Sequence, residues 1–196
     1  MKRDVLFALS YLGVAAQVLV ALLLVIAVLA LVGVRAPLDT LRRWLWGYEL
    51  WLAFVVASVA TGGSLFYSQI EGFVPCEFCW YQRIFMYPLS ITLLLLAWFG
   101  ANRAARYVLP LAVVGAGISI YHMLIQYGAI AEPVQCNAFG GGGCAFNWLA
   151  VRTQDASFGY LAIPTLALTA FLLLIGFLAL AAAGTADDVA TLPADA

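Results

Sequence analysis

The chain has 196 residues, 65% of them hydrophobic and only 10% charged, with a net charge of -1. Soluble domains run roughly 45–50% apolar and about 25% charged. So few polar side chains cannot cover a water-facing exterior, and a near-neutral balance excludes a nucleic-acid partner, so the composition predicts a multi-pass membrane bundle.

The first apolar run, Val5 to Val34, exceeds a signal-peptide core of roughly 7–15 residues and is predicted to span, with a retained signal anchor as the plainer alternative. A short basic connection with Arg35, Pro37, Asp39, Arg42 and Arg43 follows. Trp44, Trp46, Tyr48 and Trp51 then mark an interfacial aromatic belt. The second span is expected over Leu50 to Tyr67, where Ser58/Gly62 and Ala60/Ser64 have the small-xxx-small spacing of close helix packing. The third covers Trp80 to Gly100 and contains Pro88; the fourth covers Tyr107 to Tyr127 and holds the sole histidine, His122. A long polar excursion occupies 128–160. The fifth span runs from Leu161 to Ala183 with Pro164 in its first turn, where proline is tolerated. The tail from Gly184 carries Asp187, Asp188 and Asp195 and is expected to be disordered.

The four cysteines fall in two local pairs, Cys76/Cys79 and Cys136/Cys144, both between spans. Two spans separate the loops that hold them, so both lie on one side of the membrane. Arg35, Arg42, Arg43, Arg103 and Arg106 lie on the opposite side, against Lys2, Arg3, Arg83 and Arg152 on the cysteine side. The positive-inside rule and the persistence of disulfides outside the cytosol together predict extracytoplasmic, periplasmic-side cysteine loops in a cytoplasmic-membrane protein.

A Cys-x-x-Cys motif by itself suits half a zinc site or a redox pair. Zinc requires four ligands, and the wider spacing of the second pair disfavours a site built from all four thiols. Cys79 at a helix start, with Arg83 four residues on along the same face, predicts a stabilised thiolate on Cys79. Arg83 either snorkels to lipid headgroups or presents a fixed cation below a reactive sulfur, where it would suit an apolar acceptor with carbonyl oxygens. Cys136 and Cys144 flank a glycine-rich ring. A disulfide there is either a staple or an accessible bond suited to exchange. His122, with Gln126 one turn on, is either a packing residue or a ligand in the same leaflet as Arg83.

Pro75-Cys-Glu-Phe-Cys-Trp-Tyr-Gln-Arg-Ile-Phe-Met-Tyr-Pro-Leu89 closely resembles the disulfide-bond formation protein B family (DsbB, with its BdbC branch). Tyr121 to Gln126 resembles that family's segment near its quinone, and Phe158-Gly159-Tyr160 with Ile163-Pro164 resembles the start of its last helix. The resemblance implies an all-α transmembrane protein: a four-helix DsbB-like bundle over 46–184, preceded by an extra N-terminal transmembrane helix and basic connection over 1–45, and followed by a disordered tail over 185–196. It implies a membrane disulfide oxidoreductase that reoxidises a soluble, thioredoxin-fold, DsbA-like dithiol oxidase and passes the electrons to ubiquinone or menaquinone. By carry-over, Cys79 reacts with quinone, Cys76 exchanges with the second pair, Cys136 takes the mixed disulfide with the soluble partner, and Cys144 shuttles oxidation inward. Arg83, His122 and Gln126 hold the quinone, and no metal is implied. Two features depart from the family pattern: the short gap between Cys136 and Cys144, and the extra first helix. The alternatives are a vitamin-K-epoxide-reductase-like protein, in which the Cys-x-x-Cys belongs late in the bundle, and a thiol-based metal-binding or transporter-accessory membrane protein.

Overall fold

The structure is a computed structural model that describes residues 2–133, 136, 143–147, 149 and 160–190, with nothing said of the side chains of 2–3 and 185–190. Arg152, the glycines at 140–142 and Phe158-Gly159, used above, lie outside the described residues. Six α-helices are described: α1 (Lys2–Leu31), α2 (Ala36–Leu45), α3 (Glu49–Leu65), α4 (Glu77–Trp98), α5 (Ala105–Gln126) and α6 (Ile163–Ala190). A π-helical turn, Phe66–Ile70, extends α3, and a 3-10 turn, Asn102–Ala104, leads into α5.

By length and composition, Asp4–Leu31, Glu49–Ile70, Asn102–Gln126 and Ile163–Gly184 are each able to cross a membrane. α4 is equally long at 22 residues. Its first two turns hold Glu77, Gln82 and Arg83, so it is less apolar than the others. It is nonetheless an integral part of the bundle. α3 packs on α4, α4 on α5, α5 on α6, and α6 back on α3. That closed ring is the predicted four-helix bundle. Its core is aliphatic and small: Ala53, Ala57, Leu89, Leu93, Ala112, Ala116, Leu174 and Leu178 are buried around Phe171.

Close approach is set by glycine and alanine. A methyl group on Gly115 would lie 2.3 Å from Phe171 Cε1, so α5 and α6 meet at that point only because α5 has no side chain there. Pro88 lies inside α4 and removes one rung of its hydrogen-bond ladder.

α1 stands outside the ring and packs on α6 and α2. Leu6, Ser10 and Gly13 are buried near its start, whereas Leu22, Val25 and Val28 are exposed. Two expectations change. The basic connection forms helix α2, with Pro37 in its first turn and Arg42 and Arg43 in its last, where cations complement the helix dipole. The helix of the fifth span does not stop at Ala183 but continues to Ala190, because its alanine-rich end is a strong helix former.

Candidate active site

The chain turns sharply ahead of the first cysteine pair. Gly72 takes a positive φ of 71°, which an L side chain rarely adopts. Phe73 stacks on Tyr67 with ring centroids 5.6 Å apart, and its N–H donates to the Tyr67 carbonyl at 2.9 Å. This pins the segment that delivers Cys76. Cys76 is the N-cap residue of α4, and its carbonyl accepts the first helical bond from Trp80 N at 3.2 Å. Cys79 falls in the first turn, so the two Sγ atoms lie 3.2 Å apart, both as free thiols.

His122 reaches this pair from α5. It is 1% exposed, and its ring packs at a tilt against Phe78. Gln82 Nε2 lies 3.4 Å from His122 Nδ1. An amide nitrogen can only donate, so Nδ1 accepts and the ring proton belongs on Nε2. Nε2 lies 3.2 Å from the Cys144 carbonyl oxygen and 3.5 Å from Cys76 Sγ. One histidine nitrogen therefore faces both cysteine pairs.

The hydrogen bond between the two thiols holds the Cys76 thiol below its ordinary 9.0, at about 5; burial opposes the shift and the His122 N–H reinforces it. The direction of the shift favours the anion on Cys76 rather than on Cys79 as expected, because each thiol's nearest polar neighbour is the other thiol. In a Cys136→Ala/Cys144→Ala protein, thiolate ultraviolet absorbance is expected to rise with a midpoint near pH 5. Cys79→Ala should move that midpoint up toward 9.0, and Cys79→Ser, which keeps a donor, should move it less. A midpoint that stayed put in Cys79→Ala would show that the thiol pair does not stabilise the anion.

The second pair is a disulfide, Cys136–Cys144, with Cα atoms 5.5 Å apart. It packs with Ile125 against Cys76. Cys136 is 2% exposed and Cys144 1%, so the accessible bond expected from the glycines is covered. Three contacts fold the segment down. Glu132 Oε1 accepts from Cys144 N. Gln126 Nε2 donates to the Ala145 carbonyl at 2.6 Å. His122 holds the Cys144 carbonyl. The disulfide also removes both cysteines from any four-thiol metal site. A trio of possible metal donors remains, Cys76, Cys79 and His122, whose ligand atoms lie within 4.8 Å of one another.

Beneath the thiols lies a cavity of about 420 Å³. Its upper end is lined by Cys76, Cys79, Gln82, Arg83, His122 and Gln126. Arg83 Nε donates to Ser64 Oγ at 3.0 Å and a terminal nitrogen donates to the Ser64 carbonyl at 3.2 Å. Tyr87 OH meets the same Ser64 Oγ at 3.3 Å. The Arg83 guanidinium also lies 5.2 Å from the Trp80 ring centroid, within cation–π range. These contacts turn Arg83 inward, across to α3, rather than out to the headgroups.

The arrangement therefore joins a disulfide, a vicinal dithiol, a proton-bearing histidine and an inward arginine above an apolar cavity. The family model described as disulfide bond formation protein DsbB matches residues 42–186. The chain belongs to the DsbB family. Among relatives, disulfide bond formation protein C of Bacillus subtilis is 43% identical over 138 residues, covering 67% of this chain and 90% of the relative. A probable disulfide formation protein of Deinococcus radiodurans is 41% identical over 131 residues, 66% of this chain and 86% of the relative. One from Metapseudomonas resinovorans is 34% identical over 125 residues, 64% of this chain and 83% of the relative. No solved structure gives a significant match. DsbB membership makes this chain a membrane thiol oxidoreductase that acts in disulfide bond formation. α1 lies outside the matched span.

The structure gathers all four cysteines with Arg83, His122 and Gln126. Sequence reasoning missed Gln82, Ser64 and Glu132. Gln82 carried a signal, since three residues beyond Cys79 is the same helix face. Ser64 read only as a packing residue, and Glu132 carried no signal.

Proposed function

We propose that this DsbB-family chain takes electrons from a soluble thioredoxin-fold, DsbA-type dithiol oxidase at Cys136/Cys144, passes them to Cys76/Cys79, and delivers them to a membrane quinone. The cysteine loops face the extracytoplasmic side, in keeping with the arginine distribution and with the persistence of disulfides there. The observation that carries the reading is His122 Nε2, in contact with Cys76 Sγ and the Cys144 carbonyl at once, directly above a cavity lined by Arg83.

Each transfer is a thiol–disulfide exchange. A thiolate of the soluble partner attacks the Cys136–Cys144 bond, forming a mixed disulfide on Cys136 and releasing Cys144 as thiolate. The partner's second thiol displaces Cys136, so the partner leaves oxidised and the outer pair is reduced. The outer dithiol then reduces the Cys76–Cys79 disulfide by the same two displacements. The product is an outer disulfide above an inner dithiol. Because the outer bond is covered, the partner's attack requires the segment around Cys144 to lift from Glu132 and Gln126. His122 Nε2–H can stabilise the Cys76 thiolate as it forms or departs.

The cavity fits a quinone chemically. Arg83 has five N–H donors and its bonds to Ser64 use two, which leaves donors for a carbonyl oxygen, while the walls below are apolar. A bound quinone supplies an acceptor for two electrons and two protons. Cys76 and Cys79 both line the polar end with Arg83; Cys76 shares His122 Nε2 with the Cys144 carbonyl of the outer pair, which leaves Cys79 as the sulfur assigned to that acceptor.

The test is reconstitution in detergent. Purified protein, a reduced thioredoxin-fold dithiol and a quinone should give one quinone reduced per substrate disulfide formed. Substrate oxidation that proceeded without quinone consumption would overturn the acceptor assignment. A protein whose Cys136→Ala variant still oxidised the dithiol would overturn the outer-pair assignment.

A further inference from the structure

The cavity is not closed by the four-helix ring alone. One whole wall is α1, through Leu9, Leu12, Gly13, Ala16 and Leu19. The opposite wall is α3, through Val55, Val56, Val59 and Ala60, and its floor includes Ala167, Ala170 and Phe171 of α6. The α1 wall presents no polar side chain. Most of the polar lining is gathered at the other end, at Cys79, Gln82, Arg83 and Ser64, and Thr169 on the α6 floor gives its hydroxyl to the Thr165 carbonyl. The space is thus a cleft with a polar head and an apolar body. Leu12 and Leu19 on one side and Val55 and Val59 on the other are exposed, so the apolar body opens sideways toward lipid between α1 and α3.

The position of α1 is fixed by specific contacts. A methyl group on Gly13 would come within 2.4 Å of Leu166 Cδ2, so α1 rests on α6 at its glycine. Gln17 Oε1 accepts from Tyr160 OH at 3.3 Å. Leu6 packs into a cluster with Tyr67, Phe73 and Leu149. A loosely tethered anchor would need none of these.

We infer that α1, which lies outside the family match, builds the tail-binding half of the acceptor site: the hydrocarbon tail of the quinone lies between α1 and α3, and α1 sets the preference for long-tailed acceptors. The inference rests on the quinone reading given above. It gives the extra helix a definite role. Without α1, the face of α3 and α6 below Arg83 would meet lipid directly, and a tail there would gain little over its burial among acyl chains. With α1 docked, the tail has a fixed slot in continuous contact with protein on both sides.

The test is binding to the full-length protein in detergent, read from quenching of tryptophan fluorescence. Two probes are compared on each preparation: a ubiquinone with a long isoprenoid tail and a tail-less benzoquinone with the same head group. Gly13→Leu drives α1 away from Leu166, and Ala16→Phe narrows the cleft with α1 still seated at Gly13. In both variants the ratio of the Kd for the long-tailed quinone to that for the tail-less one should rise about tenfold, equivalent to about 1.4 kcal/mol. The ratio of kcat/KM values in the oxidase assay should shift in step. The ratio is internal to each preparation, so partial misfolding does not imitate it. A ratio within about twofold of the wild-type value in both variants, a difference well under one kcal/mol, overturns the role of α1. Failure of the unaltered protein to bind either quinone instead overturns the acceptor assignment itself, and the role of α1 with it.

Discussion

Cys79→Ser is expected to lower quinone-dependent oxidation of a reduced thioredoxin-fold dithiol by about a thousandfold or more, the scale on which loss of a covalent group acts. The serine hydroxyl keeps the size of the thiol and its hydrogen bond toward Cys76 Sγ, 3.2 Å away in the parent, so the fold and the Cys76 anion should survive. Chemistry should not, because oxygen cannot form the second half of the Cys76–Cys79 disulfide that carries the electron pair inward. Cys76 can still be attacked by or attack a cysteine of the outer pair, against which it packs. The variant should therefore accumulate a mixed disulfide between Cys76 and one outer cysteine, visible by peptide mapping without reduction. That species would also identify which outer cysteine exchanges inward. Full turnover in Cys79→Ser would remove the inner pair from the electron path and leave the cluster at His122 without a function.

The helices were legible because apolar runs of about 20 residues have one solution in a bilayer, a helix with every backbone group paired internally. The third predicted span, Trp80 to Gly100, became Glu77–Trp98, and the shift of its start matters. It makes Cys76 the cap and places Cys79 inside the first turn, the spacing that brings two sulfurs together. The pairing of the two cysteine loops on one side was likewise legible from parity alone, and His122 meeting both Cys76 and Cys144 bears it out. α2 was missed although Pro37 near its start and Arg42/Arg43 near its end are ordinary helix signals; ten residues between two long spans read more readily as a connection.

What stayed hidden depends on contacts between helices distant in sequence. Ser64 and Arg83 are 19 residues apart, and nothing local to either says they meet. The small-xxx-small spacing of Ala60/Ser64 pointed to packing, whereas the hydroxyl and carbonyl of Ser64 hold a guanidinium. The tautomer of His122 depends on Gln82, 40 residues away. The covering of the outer disulfide depends on Glu132 and Gln126, and a glycine-rich sequence gives no sign of which side chains will meet Cys144 and Ala145. Polar side chains inside a bundle must find partners because lipid offers none, and the sequence states that need without stating the partner.

Arg83 is where that need and the proposed chemistry coincide, and it carries the second large effect. Arg83→Gln should reduce kcat/KM for quinone by about 10- to 100-fold, corresponding to the roughly 1.5–3 kcal/mol of a charge-assisted hydrogen bond. The loss should appear mainly in KM for quinone and leave KM for the soluble dithiol near its starting value, because the guanidinium lies below the inner pair and away from the outer disulfide. Arg83→Lys should recover little of it. A lysine keeps the charge, but it lacks the planar fork that lets Arg83 hold Ser64 through two bonds while presenting further donors to the cavity. Ser64→Ala should fall between the two, since it loosens the guanidinium without deleting it and leaves Tyr87 OH without its hydroxyl partner. If Arg83 instead served as a headgroup anchor, Lys would substitute well, Ser64→Ala would be silent, and KM for quinone would not move in any of the three variants. Steady-state kinetics with the two substrates varied independently, on the same three proteins, distinguishes these outcomes.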